Sequence, residues 1–169
     1  MTVGSGDRVT LRKQFEEVAA DVWMLLAEVT DADWNRGNTG TRWTVGELVF
    51  HLYSGVLEFF PREIAAARAG KDFLNPPAFL NPIAEPLAFI IGRLMARNAS
   101  LGAFRQRFQG DLAAALGAFD SITDDEWGRG AHFYGEGFRS MEDLVRVRRP
   151  HFNEHAAQIR RALNRKSAV

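Results

Sequence analysis

Four imidazoles are the side chains in this sequence best suited to metal chemistry: His51, His132, His151 and His155. His151 and His155 are spaced i, i+4. On an α-helix that spacing places both rings on one face, about one turn apart, close enough to share an ion. His51 sits one heptad after Thr44, beside Leu48 and Leu52, on the inward-tending face of a second expected helix. An imidazole there needs a partner, because a buried unsatisfied polar group costs about 1–3 kcal/mol. Three neutral imidazoles drawn from two helices would leave a fourth coordination position open, and open three-ligand sites are the catalytic kind. The candidate metal ligands are therefore His51, His151 and His155, although any one of them alone reads as a hydrogen-bonded structural histidine. Imidazole suits zinc, nickel, copper and iron alike, so the donor set does not choose the ion. His132 lies in the loop-like stretch Gly130-Ala131-His132-Phe133-Tyr134 and reads as incidental. Glu58, one heptad beyond His51, is a candidate partner or base, with a surface glutamate as the simpler reading. Arg148, one turn before His151, is a candidate anion-binding group, with a solvated helix face shared by Arg146 and Arg149 as the simpler reading.

The elements that must carry these residues are helical. Leu11, Phe15, Val18, Val22, Leu25 and Val29 recur at alternating steps of four and three, one stripe of a first helix. Thr44-Val45-Gly46-Glu47 is a capping box that starts a second helix, with Trp43 before it. Val45, Leu48, Leu52, Val56, Phe59 and Phe60 continue that helix, Pro61 predicts a kink, and Gly70 marks its end. Pro76, Pro77, Pro82 and Pro86 make residues 71–86 a long crossover. Residues 87–119 read mostly as helix, with Gly92, Gly102 and Gly110 as points of interruption. A last helix spans about 140–164, opened by Ser140 with Asp143 and bent at Pro150, which lacks the N–H for an intrahelical bond. Thr30-Asp31-Ala32-Asp33-Trp34 recurs as Thr123-Asp124-Asp125-Glu126-Trp127, and each copy leads through a glycine-containing loop into a capped helix. The expected architecture is all-α: a four-helix bundle with one long crossover connection, as a single domain over residues 1–169.

Composition bounds the function. The 169 residues carry 21 Lys+Arg and 21 Asp+Glu, so the chain lacks the positive field that dominates nucleic-acid binding. Cysteine is absent, which excludes disulfides, thiolate ligands and a cysteine nucleophile. With 46% hydrophobic residues the chain is too apolar for disorder. Residues 1–12 contain no apolar signal-peptide region, and the longest stretch free of charge, Phe73 to Ala84, holds 12 residues with three prolines. A cytoplasmic protein acting on a small molecule, with no nucleic-acid or membrane partner, is expected. A flat helix face could support a homodimer.

Two segments carry a family resemblance. Trp43-Thr44-Val45-Gly46-Glu47-Leu48-Val49-Phe50-His51-Leu52 resembles the W-S/T-x-x-E-L-x-x-H-L/I signature of the DinB-like superfamily. His151-Phe152-Asn153-Glu154-His155-Ala156-Ala157-Gln158-Ile159 resembles its closing H-x-x-x-H-x-x-x-I helix. In layout the resemblance covers roughly residues 8–165. It implies a four-helix bundle whose metal, zinc or nickel, is held by His51, His151 and His155. It also implies a thiol-dependent transferase or isomerase, or a metal-dependent hydrolase, related to the metal-binding domain of mycothiol-dependent maleylpyruvate isomerase. With Val169 as the last residue given, that enzyme's additional C-terminal domain is not expected, and maleylpyruvate is not the expected substrate. Without cysteine, any low-molecular-weight thiol must arrive as a cosubstrate. The alternative is a non-catalytic structural or partner-binding bundle with a vestigial site.

Overall fold

The computed structural model describes residues 5–37, 41–73, 90, 92–133 and 137–164. Helix α1 runs Ser5–Glu28, and a 3-10 turn follows at Asp31–Asp33. Helix α2, Val45–Tyr53, continues through a π-helical segment, Ser54–Glu58, into α3, Phe60–Ala69. Residues 92–97 are helical, and α4 spans Leu101–Asp120. A two-stranded antiparallel hairpin, β1 Gly130–Phe133 and β2 Gly137–Ser140, precedes α5, Met141–Arg146, and α6, Arg148–Asn164. The chain is thus mostly helical, with one small sheet among the described residues where the sequence read as loop. Most of the expected crossover lies outside the described residues.

The stripe predicted for α1 is the core seam. Leu11, Phe15, Val18, Val22, Leu25 and Val29 are all buried. α1 packs on α4 and α6, α2 packs on α6, and α3 packs on α4. Helix α2 is buried nearly all round, with only Glu47 and His51 partly accessible, one turn apart on one strip. The three interruptions have separate local causes. The π segment carries the i to i+5 bond from Phe59 N–H to Ser54 O (2.8 Å), and Pro61 then sits in the first turn of α3, where its missing N–H costs nothing. Ser100 starts α4 afresh by accepting from Ala103 N–H at 3.2 Å. The expected bend at Pro150 appears as a one-residue interruption at Val147, whose backbone stays right-handed helical, and Pro150 falls in the first turn of α6.

The recurring Thr-to-Trp segments perform the same task twice. The first four N–H groups at a helix start have no intrahelical acceptor. At α2 those of Thr44, Val45, Gly46 and Glu47 go to Glu47 Oε2 (2.7 Å), Arg36 O (2.9 Å), Trp34 O (2.8 Å) and Thr44 Oγ1 (3.2 Å). At α5 those of Ser140, Met141, Glu142 and Asp143 go to Asp143 Oδ2 (3.0 Å), Arg129 O (2.8 Å), Trp127 O (3.3 Å) and Ser140 Oγ (3.1 Å). Each turn is also tied to a helix of the other half. Arg36, paired with Asp33, donates to Ala162 O near the end of α6 (3.2 Å). Arg68 of α3 makes a two-pronged pair with Glu126 (2.8 and 3.0 Å). That guanidinium, with the Thr123 N–H, holds the Glu126 carboxyl down at about 2.

The turn packs tightly where it meets α2. A Cβ on Gly46 would lie 2.5 Å from the Trp34 ring. Helix propensity alone would make Gly46→Ala stabilising by up to about 1 kcal/mol. The expected outcome is the reverse, a loss of about 1–3 kcal/mol through overpacking, read as a lower urea midpoint.

Candidate metal centre

α2 and α6 bring the three histidines together. One ring nitrogen from each of His51, His151 and His155 lies within 4.8 Å of the others. Ring centroids are 4.9 Å apart for His51–His151, 5.0 Å for His51–His155 and 4.6 Å for His151–His155. The capping box fixes where α2 begins, so His51 falls two turns into the helix at a set height and phase. Arg93 braces the same box by donating to Glu47 Oε1 at 2.7 Å. On α6, His151 stands near the start of the helix, with its N–H donating to Val147 O at 3.1 Å. His155 follows one turn later.

The donor chemistry suits a metal. Imidazole nitrogens are ordinary ligands of zinc and other divalent ions, and three would leave a fourth position open. Burial and the neighbouring rings push His51 down to about 3. Burial, His155 and Arg148 together push His151 down to about 4. Both therefore stand neutral at pH 7, the form that offers a lone pair to an ion. The Nδ1 of His155 lies 2.9 Å from Gln158 Oε1. An amide oxygen only accepts, so this contact is a hydrogen bond when Nδ1 carries the ring proton, the tautomer that leaves the Nε2 lone pair free.

A cleft of about 280 Å³ opens onto the cluster. His51, His155 and Gln158 line it on one side, with Trp43 and Leu48 as its apolar wall and the exposed Arg42 at its edge. The Trp43 ring stands 5.4 Å from that of His51. Gln158, Arg42 and Trp43 as a wall were missed in the sequence reading. Only the i, i+3 spacing of His155 and Gln158 hinted at the first.

Other candidates are placed elsewhere. Glu58 accepts from Ser54 Oγ (2.8 Å) and Arg107 Nη2 (2.7 Å), so it faces α4 and not the histidines. Its heptad relation to His51 fails because the π segment intervenes. Arg148 is no anion-binding group at the cleft and no part of a solvated face. It is buried, paired with Glu63 and Leu144 O, with its guanidinium 4.3 Å over the Phe60 ring. It touches the site only through its charge, which disfavours protonated His151. Arg146 pairs with Glu142 and Arg149 with Asp21. His132 lies on β1 opposite Phe138, 3.6 Å from Asp72, outside the cluster.

Because both folded-state values lie below the ordinary ~6.5 of histidine, protons bind the unfolded chain first. The metal-free fold is therefore expected to lose stability as pH falls from about 6.5 toward 4, with no contribution from these groups above about 7. In chelator, urea midpoints at pH 7.5 and pH 5 should differ, with up to about 2 kcal/mol from each ring. His51→Leu should flatten the dependence, and an unchanged slope in that variant would exclude His51 as its source.

Residues 14–159 match the family model of the DinB superfamily, a span that includes all three histidines. The chain therefore belongs to that superfamily. Comparison with curated proteins gives no match.

Proposed function

We propose, with membership of the DinB superfamily as the premise, that this protein binds one divalent ion, zinc or nickel, through His51, His151 and His155, and acts as a metal-dependent enzyme on a small molecule. The reaction class is transfer or isomerisation with a low-molecular-weight thiol, or hydrolysis. The observation that carries this reading is the convergence of three imidazoles beside an open cleft. Three protein ligands leave room for one more, and a bound ion would supply Lewis acidity there, lowering the pKa of a water or thiol.

The chain's own residues supply the rest. Trp43 and Leu48 exclude water from one side of the cleft and offer an apolar surface to a substrate. Arg42 adds a positive charge at its edge, which favours a substrate bearing an anionic group. With no cysteine in the sequence, a reacting thiol has to come from a cosubstrate.

The supporting framework is, in this reading, a four-helix bundle and a single domain. α2 with α3 forms one long member, α5 with α6 another, and α1 and α4 complete the ring. The packing of α1 on α4 and α6, α2 on α6 and α3 on α4 supports it. The long connection joins α3 to α4. Among the described residues no helix is long and apolar enough to cross a membrane. A cytoplasmic site of action without nucleic-acid partners is consistent with the balanced charge. Self-association as a homodimer belongs to the same proposal.

Tag-free protein is expected to bind about one equivalent of zinc or nickel per chain. At 100 times Kd the ion should add about 2.7 kcal/mol, a rise in Tm of about 5–11 °C. His51→Ala and His155→Ala should each abolish the shift. A wild-type protein with neither bound metal nor a shift would remove the basis of the proposal.

A further inference from the structure

We propose that Gln158 is a positioning residue that commits His155 to bind metal through Nε2. This rests on the metal reading above and adds a role for a residue outside the ligand set. His155 and Gln158 are three apart on α6, so their side chains meet on one helix face. Their contact, Nδ1 to Oε1 at 2.9 Å, is of full hydrogen-bond quality. A neutral imidazole carries one proton and one lone pair. Holding the proton on Nδ1 leaves the lone pair on Nε2, and it also fixes the plane of the ring.

The other two ligands are restrained differently. His51 is walled by Trp43 and by its neighbouring rings, and His151 is packed between His51 and His155. Among the described residues, His155 is the one member of the trio with a hydrogen-bonded ring nitrogen. It also borders the cleft, as His51 does. Without Gln158 the two tautomers of His155 become comparable and the ring loses its preferred plane. The site would then meet an ion with one ligand unprepared. Outer partners of this kind commonly change metal affinity about 10–100-fold.

The experiment measures zinc and nickel affinity by competition with a chromogenic chelator, on tag-free, metal-stripped protein. Four chains are compared: wild type, Gln158→Met, Gln158→Glu and His155→Ala. Methionine keeps the length and loses the acceptor, whereas glutamate keeps it. Gln158→Met should bind about 10–100-fold more weakly, and Gln158→Glu as well as wild type or better. In ¹⁵N spectra of the metal-free protein, His155 should carry its proton on Nδ1 in wild type and lose that preference in Gln158→Met. A merely structural glutamine would not move that signature. Wild-type affinity in Gln158→Met, an equal loss in Gln158→Glu, or an Nε2-protonated His155 in wild type would each overturn the inference. If His155→Ala loses binding while Gln158→Met keeps it, the metal reading stands and this inference alone falls. If wild type binds neither ion, both fall.

Discussion

A helix that begins inside a protein exposes N–H groups that must find acceptors, and in this protein the positions of the histidines follow from how that need is met. At α2 and at α5 the same solution appears. A Thr-to-Trp turn offers two backbone carbonyls, and the capping hydroxyl and carboxylate exchange bonds with the remaining donors. Such caps contribute about 1 kcal/mol each, but their larger effect is geometric. Once the first turn of α2 is bound to Trp34 and Arg36, the phase of every later residue on that helix is set. His51 then reaches the same level as His151 and His155 because both halves of the chain are anchored by equivalent turns. The crossed ties, Arg36 to the end of α6 and Arg68 to Glu126, keep those anchors in register.

The cluster itself opposes folding in acid and suits it at neutral pH. Three rings held about 5 Å apart cannot all be protonated without strong repulsion. Burial acts in the same direction on His51 and His151. The positive charge of Arg148 reinforces this from behind the site, although that arginine spends its hydrogen bonds on Glu63 and Leu144 O. A buried ion pair thus has an electrostatic reach into a site it does not line.

Much of this was legible in the sequence. Periodicity found the buried stripe of α1, the capping box found the start of α2, and the spacing of His151 and His155 found the face on which both rings stand. Those features depend on residues close together along the chain. What escaped depends on partners far away or on backbone choices that several sequences permit. The hairpin at 130–140 has too few residues for a strand pattern to emerge, and its pairing is set by Arg139 O and Phe138 packed against Gly130. Arg148 looked solvated because its partner, Glu63, is 85 residues away. Glu58 looked aligned with His51 because a heptad count assumes an uninterrupted α-helix. Gln158 was hidden by its ordinariness: a glutamine on a helix acquires meaning only when the histidine three residues before it joins a cluster.

The π-helical segment Ser54–Glu58 has a consequence for which way its two sides face. One extra residue in a turn rotates everything downstream by about 100° while leaving the upstream part in place. α2 and α3 therefore form one rod in space but two independent faces in sequence. The upstream face presents His51 to the cleft, and the downstream face inserts Phe60, Ile64 and Ala67 into the core. The segment thus shifts the register along a continuous stretch of helix, between a residue that faces the cleft and residues that face the core.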